Sequence, residues 1–244
     1  MQRTTRLAGL DCRVLQQTDG PPTAAVVLAH GYGAPGDDLV GLTEMLWQLA
    51  PALSTVRFVY PAAPLSLEAM YGGGARAWWN IDMLQVQRLA AADPNALREF
   101  RKLEPEGMPA ARAAMLKLVD ELSVQTGLGL GQLVLGGFSQ GAMLTTDVAL
   151  RLPEAPRALV TLSGTLLLED AWRAKARARA GLRVFQSHGR RDPILRFDAA
   201  ELLRDLLVEG GLTVDFHPFD GGHEIPLGVL RSLAAFLTAA TKST

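Results

Sequence analysis

A serine, an aspartate and a histidine occur in this sequence in an order that suits nucleophilic catalysis. Ser139 lies in the segment G-F-S-Q-G, Asp192 in H-G-R-R-D-P, and His223 in G-G-H-E. A serine hydroxyl becomes an effective nucleophile when a histidine accepts its proton and a carboxylate holds that histidine in the required tautomer. Because the order is Ser, Asp, His, the sequence predicts Ser139 as nucleophile, His223 as general base and Asp192 as the partner of that base.

Two main-chain amides are candidates for stabilising an oxyanion. Gln140 directly follows Ser139, so its N–H is expected to point toward the reacting oxygen. The segment H-G-Y-G has glycines on both sides of Tyr32, which would let the Tyr32 N–H approach the same point. The rival interpretation makes His30 a metal ligand or a base. No Cys, His or Asp residues cluster with it at metal-ligand spacing, so we do not expect a metal site there.

Other polar residues near these motifs have structural interpretations. Glu224 could compete as the carboxylate partner of His223, but adjacent residues seldom reach each other's ring nitrogens. His188 precedes Asp192 closely and is expected to shape its loop. Asp147 is expected on an exposed face of the helix that follows the nucleophile. Cys12 has no histidine or acid nearby in sequence and is not predicted to be a nucleophile.

The elements that must position these residues alternate between short apolar runs and helical patterns. Strands are expected at 24–29, 56–60, 133–135, 158–162, 182–186 and 213–217, with an antiparallel edge strand at 10–16. Helices are expected from a cap at Asp37 or Asp38 to 49, and at 109–126, 140–150, 171–180, 197–209 and 227–238. This alternation predicts an α/β fold with a doubly wound, mainly parallel sheet and helices on both faces. The three candidates then fall at carboxyl ends of strands, where such folds place their sites.

A stretch rich in glycine and aromatic residues separates the first two core strands from the helix at 109–126. Residues 62–82 are interpreted as a long surface loop, and residues 83–103 have mixed helical patterning. We therefore expect one domain over 1–244, with a loop and helical insertion at about 62–109 that borders the site. Four residues of the loop are candidates for lining a substrate groove: Met70, Tyr71, Trp78 and Trp79. The alternative is that the two tryptophans only bury the loop against the core.

Composition excludes several classes of protein. The chain has 244 residues, 48% of them hydrophobic, and a net charge of −1. It has no basic field that would indicate nucleic acid as a partner. A single cysteine excludes an internal disulfide, and no apolar stretch reaches transmembrane length, so no stable membrane insertion is expected. The sequence thus suggests a soluble cytoplasmic protein, and a homodimer that covers apolar surface near 70–79 stays an open alternative.

Four segments together carry a resemblance to a known family. L-A-H-G-Y-G at 28–33, G-F-S-Q-G-A at 137–142, H-G-R-R-D-P at 188–193 and G-H-E-I at 222–225 resemble the phospholipase/carboxylesterase family, which includes acyl-protein thioesterases and small bacterial carboxylesterases. The resemblance implies an α/β-hydrolase fold and a cofactor-free serine hydrolase. It implies Ser139, Asp192 and His223 as the triad and the Tyr32 and Gln140 amides as the oxyanion hole. Residues 76–82 resemble the family's region beside the acyl pocket, with Asn80 where many relatives carry Asp.

The predicted activity is hydrolysis of short to medium acyl esters, and of thioesters as well, through an acyl-serine intermediate. One alternative is a lysophospholipase or acyl-protein thioesterase that prefers long chains. A second is a non-catalytic binding module of the same fold, and a peptidase or lactonase is also compatible because fold and triad do not fix the leaving group.

Overall fold

The computed structural model describes residues 2–81, 99 and 101–242. Its strands, in chain order, are β1 (Gln2–Leu7), β2 (Leu10–Leu15), β3 (Ala24–Ala29), β4 (Val56–Pro61), β5 (Leu65–Ser66), β6 (Arg76–Ala77), β7 (Leu133–Phe138), β8 (Ala158–Leu162), β9 (Arg183–Gly189) and β10 (Thr213–Phe219). Eight of them form one sheet in the order β1-β2-β4-β3-β7-β8-β9-β10. In this sheet the β1–β2 and β2–β4 pairs are antiparallel. The other five pairs, β4–β3, β3–β7, β7–β8, β8–β9 and β9–β10, are parallel.

Helices cover both faces of this sheet. The α-helices of the described residues are α1 (Gly41–Leu49), α2 (Glu68–Tyr71), α3 (Met108–Thr126), α4 (Gln140–Arg151), α5 (Glu169–Ala176), α6 (Phe197–Glu209) and α7 (Leu227–Thr241). Helices α1 and α7 bury residues such as Leu46 and Leu233 on one face. Helices α3 to α6 bury Met115, Leu144 and Leu206 on the other. The predicted α/β fold, with a mainly parallel sheet between two helical layers, is confirmed.

Strand β3 shows why the central part of the sheet was readable from sequence. All six of its residues, A-A-V-V-L-A, are buried, because it pairs with β4 and β7 and has helices over both faces. A continuous apolar run is the signature of such a strand. Its bounds, and those of α6, agree with the prediction.

The prediction that residues 10–16 form the edge strand is wrong. Strand β2 pairs antiparallel, as expected, but it lies between β1 and β4. The edge is β1, whose sequence Q-R-T-T-R-L leaves all but one residue at least partly exposed. A polar edge strand has no apolar alternation to reveal it, and its charged side chains discourage pairing with another chain.

Neither Asp37 nor Asp38 caps the first helix. Helix α1 begins at Gly41 and has no side-chain cap. The Asp38 amide instead donates to the carbonyl of Pro35 at 3.1 Å, and the Asp37 carboxylate lies 3.4 Å from the Arg13 guanidinium. The acidic pair therefore belongs to the turn before the helix.

The interpretation of residues 62–82 as a surface loop is only partly right. Strands β5 and β6 pair antiparallel within it, and helix α2 lies between them. Trp78 and Trp79, at its end, are 1% and 2% exposed. The helical patterning at 83–103, and with it much of the insertion expected at 62–109, falls mainly outside the described residues.

Candidate active site

Ser139 occupies the turn between β7 and α4. Its φ of 54° and ψ of −119° lie in a region that non-glycine residues rarely adopt, so the backbone is strained at this residue. A Cβ on Gly137 would lie 2.6 Å from the carbonyl oxygen of Ala29, and one on Gly141 would overlap the same carbonyl. Only glycines at these two positions let the turn pack against β3, as a nucleophile elbow requires.

Asp192 and His223 meet beyond the ends of β9 and β10. His223 Nδ1 lies 2.6 Å from Asp192 Oδ2, while the amides of Ile194 and Leu195 donate to Asp192 Oδ1 at 2.8 and 2.9 Å. Burial by itself would raise the pKa of Asp192, but hydrogen bonds from His223, Leu195 and Ile194 outweigh it and hold the pKa below its ordinary value. The carboxylate is therefore ionised at neutral pH and suited to orient an imidazole.

The histidine ring reaches the nucleophile turn. The ring centroids of His223 and Phe138, the residue before Ser139, are 4.7 Å apart. Glu224 does not compete for His223, because its Oε1 accepts a hydrogen bond from the Gly222 amide at 3.2 Å. The structure thus brings the three sequence candidates together beyond the carboxyl ends of β7, β9 and β10, with Asp192 as the carboxylate beside the histidine.

The loop after β3 lies against Ser139. A Cβ on Gly31 would be 3.3 Å from the Cβ of Ser139, so this backbone passes directly beside the serine. The Gly33 amide donates to the Arg76 carbonyl at 2.9 Å, and the Arg76 amide donates to the Ala34 carbonyl at 3.1 Å. The Tyr32 amide, one residue before these anchors, donates to no main-chain carbonyl of the described residues. Tyr32 therefore lies next to Ser139 with an N–H that no described main-chain carbonyl accepts.

Gln140 contributes more than its main-chain amide. That amide is the first N–H of α4 and has no partner within the helix. The side chain is fully buried: its Oε1 accepts from the Trp78 amide at 2.9 Å and its Nε2 donates to the Trp79 carbonyl at 2.8 Å. The Trp78 indole in turn donates to the His30 carbonyl at 3.0 Å. Sequence reasoning missed this clamp, since nothing local links residue 140 to residues 78 and 79.

The four residues predicted to line a substrate groove fall in two environments. Met70 and Tyr71 are 68% and 54% exposed. The Tyr71 ring packs edge-on against Tyr32, at 6.2 Å between centroids, so Tyr71 borders the loop after β3. Trp78 and Trp79 are buried in the core beneath that loop. Met70 and Tyr71 are thus the members that face solvent.

His30 and Cys12 have structural roles. His30 Nδ1 lies 2.8 Å from the Gly31 carbonyl, and its Nε2 accepts from the Ala63 amide at 3.0 Å. Burial lowers the pKa of His30 to about 4, so the ring is neutral and its two nitrogens are already engaged. Burial also raises the pKa of the Cys12 thiol to about 12. Within the described ranges, no group of three or more His, Cys, Asp or Glu side chains is arranged to hold a metal.

Asp147 is the one polar residue whose predicted environment is wrong. It is fully buried in α4, not exposed. Its carboxylate accepts hydrogen bonds from Arg112 on α3, from Arg151 at 2.8 Å and from the Trp172 indole on α5 at 2.9 Å.

No helix in the part of the chain that the structure describes is long and apolar enough to cross a bilayer.

Comparisons with known proteins identify the family of this chain. The sequence profile of the phospholipase/carboxylesterase family matches residues 10–241. Acyl-protein thioesterase 1 of Eremothecium gossypii is 30% identical over 90% of this chain and 88% of its own length, and that of Neurospora crassa is 28% identical over 88% and 86%. Among solved structures, esterase PE8 has a TM-score of 0.76 at 29% identity, covering 93% of this chain and 97% of its own. A carboxylesterase from Mesorhizobium loti shares the fold, with a TM-score of 0.71 at 21% identity over 97% and 98%. The chain therefore belongs to the phospholipase/carboxylesterase family and is an α/β-hydrolase of the esterase or thioesterase type.

Proposed function

We propose that this protein hydrolyses carboxylic esters of short to medium acyl chains through an acyl-Ser139 intermediate. The observation that carries the proposal is the 2.6 Å hydrogen bond between His223 Nδ1 and Asp192 Oδ2, formed beside the strained turn that presents Ser139. A neutral imidazole whose Nδ1–H is held by a carboxylate has Nε2 free to accept a proton.

In the acylation step, Ser139 Oγ attacks the acyl carbon while its proton passes to His223 Nε2. The carbonyl π electrons move to the oxygen, and the Tyr32 and Gln140 amides donate to that oxyanion. The tetrahedral intermediate collapses, the C–O bond to the leaving group breaks, and His223 gives its proton to the departing alcohol. Water then repeats the sequence on the acyl-serine, which releases the acid and restores the serine.

Asp192 supports the second half of that proton transfer. When His223 becomes an imidazolium, the ionised carboxylate at 2.6 Å stabilises its positive charge without taking the proton. The three donors on Asp192 keep it ionised and fix the plane of the carboxylate. The expected substrates therefore need only an activated carbonyl and a leaving group that His223 can protonate.

Acyl-chain length is the finer part of the proposal. The buried Trp78 and Trp79 present no open aromatic groove, which supports short to medium chains. The relatives of 28% and 30% identity are acyl-protein thioesterases, and this favours a second candidate, a thioesterase acting on long acyl chains. Exposed Met70 and Tyr71 beside Tyr32 would contact the acyl chain in either case.

The test is the hydrolysis of p-nitrophenyl esters from acetate to palmitate, with the matching acyl thioesters assayed in parallel. We expect turnover that peaks at short or medium chains and falls by roughly 10⁴-fold or more in Ser139→Ala. A peak at long acyl thioesters would instead favour the second candidate. Ser232→Ala, a serine on α7 outside the site, is the matched control and should turn over like the wild type.

A covalent trap checks the intermediate directly. A p-nitrophenyl phosphonate should add one phosphonyl group to the wild type and to Ser232→Ala, and none to Ser139→Ala, as read by intact-protein mass spectrometry. Full esterase activity in Ser139→Ala, or a phosphonyl group on another residue, would contradict the proposal.

A further inference from the structure

A second histidine lies behind the candidate acid. The side chain of His188, near the end of β9, is completely buried, as is that of Asp192. His188 Nε2 lies 2.8 Å from the carbonyl oxygen of Leu195 and 3.3 Å from Asp192 Oδ2. The Leu195 amide donates to the other oxygen of Asp192 at 2.9 Å. His188 thus contacts both the carboxylate and the turn that binds it.

The chemistry of its neighbours fixes the tautomer of His188. A carbonyl oxygen and a carboxylate oxygen only accept hydrogen bonds, so Nε2 must carry a proton to satisfy them. Burial lowers the pKa of His188, although the Leu195 carbonyl and the charge of Asp192 oppose that effect. The ring is therefore neutral at neutral pH, with its proton on Nε2 and a lone pair on Nδ1.

Ser163 is the residue beside His188 in the sheet. Leu162 of β8 pairs with Ser187 of β9, and the Ser163 amide donates to the Ser187 carbonyl at 2.9 Å, so the next residues on the two strands are Ser163 and His188. Ser163 is fully buried at a φ of 49°. Among the described residues, neither its hydroxyl nor His188 Nδ1 has a hydrogen-bond partner. The Ser163 hydroxyl and His188 Nδ1 therefore do not bond to each other, and the contacts of His188 with the acid site are those of its Nε2.

We propose that His188 is a positioning residue for Asp192: its Nε2–H donates to the Leu195 carbonyl and lies 3.3 Å from the carboxylate, and so holds the turn whose amides bind Asp192. The inference rests on the proposed function, because it assigns His188 to the acid of that site. It places two histidines against Asp192, of which only His223 faces the turn that carries Ser139.

The surroundings of His188 indicate that it acts through Asp192 and does not contact a substrate. Its ring lies edge-on to Phe197 of α6 at 6.1 Å, and the ionisable groups that act on it are Asp192 and His223. With no solvent-facing atom it cannot exchange protons with a substrate. What it controls is the direction of Asp192 Oδ2, and hence the hydrogen bond that orients His223.

The test compares His188→Gln with His188→Leu. Glutamine keeps an N–H near the Nε2 position, whereas leucine fills similar space without a donor. We expect His188→Leu to lower kcat per titrated active site by roughly 10- to 100-fold with KM little changed, and His188→Gln to recover most of that loss. His188→Asn, whose shorter amide does not reach the Nε2 position, should lower kcat as His188→Leu does. His217→Gln, a histidine on β10 outside the site, is the matched control and should leave kcat unchanged.

A spectroscopic measurement separates positioning from folding. The proton between His223 Nδ1 and Asp192 Oδ2 should give a low-field ¹H NMR resonance that weakens or shifts in His188→Leu and in His188→Asn, but not in His217→Gln. If His188→Leu does not fold, His188→Gln and His188→Asn still carry the test. An unchanged resonance and a kcat within twofold of the wild type in His188→Asn and in every other folded His188 variant would overturn the inference. Because the resonance needs no substrate, it is measured even if Ser139→Ala shows that the proposed function is wrong.

Discussion

At the scale of single residues, the candidate triad could be read from the sequence and Asp147 could not. Ser139, Asp192 and His223 each follow a strand within a short glycine-containing segment, so local pattern and order were enough. The environment of Asp147 depends on Arg112 and Trp172, which lie 35 and 25 residues away in the chain. A carboxylate in a helix looks exposed until its distant partners are known.

Asp147 should contribute strongly to stability. Its fully buried carboxylate accepts from Arg112, Arg151 and Trp172, and removing one member of such a buried group leaves the others without a partner. We expect Asp147→Ala to lower the free energy of unfolding by about 3 kcal/mol and Asp147→Asn, which keeps an acceptor for the indole, by less. Urea denaturation measures both.

The control for this prediction is Asp120→Ala, an exposed aspartate on α3. Its free energy of unfolding should stay within about 0.5 kcal/mol of the wild type. If Asp147→Ala and Asp120→Ala lower the free energy of unfolding equally, the ion pairs of Asp147 do not contribute to stability.

At the scale of elements, the sequence revealed the helices and the fully buried strands, but not how separate segments hold one another. The segment 62–81 has no period because its order comes from contacts with α4 and with the loop after β3. Two side-chain hydrogen bonds of Gln140 join α4 to Trp78 and Trp79, and the Trp78 indole joins the segment to the His30 carbonyl. The same is true of β1, a polar strand that exists because β2 offers it a free edge.

We predict that the clamp of Gln140 supports both stability and turnover. Gln140→Met keeps the main-chain amide and the length of the side chain but leaves the Trp78 amide and the Trp79 carbonyl buried without partners. Each such group costs about 1 to 3 kcal/mol, so the free energy of unfolding should fall by at least about 2 kcal/mol. The Trp78 indole also donates to the His30 carbonyl, so the loop after β3 should shift as well. Because that loop carries the proposed oxyanion donor, the Tyr32 amide, kcat should fall.

Gln132→Met provides the comparison, because Gln132 also bonds to main-chain groups but lies at an exposed turn before β7. It should leave kcat unchanged and cost less than about 1 kcal/mol. Wild-type kcat in Gln140→Met would contradict a role of the clamp in the oxyanion hole.

At the scale of the whole molecule, burial of a histidine at the end of a central strand should make the free energy of unfolding depend on pH. His30 sits at the end of β3, in the centre of the sheet, where its ring is 1% exposed and its pKa is lowered to about 4 from an ordinary 6.5. As the pH falls below 6.5, the unfolded chain takes up this proton while the folded chain does not, so unfolding becomes more favourable. The loss from this residue is complete near pH 4.

The size of that loss follows from the shift. Each pKa unit corresponds to about 1.4 kcal/mol, so His30 should lower the free energy of unfolding by about 3 kcal/mol between pH 7 and pH 4. Urea denaturation across this range should show the wild type losing that much more stability than His30→Gln, which has no group that titrates there. His30→Asn serves the same purpose if His30→Gln does not fold. Parallel plots of unfolding free energy against pH for wild type and variant would show that His30 has the same pKa in the folded and unfolded chains. That result would contradict the conclusion that the buried His30 ring stays neutral in the folded protein.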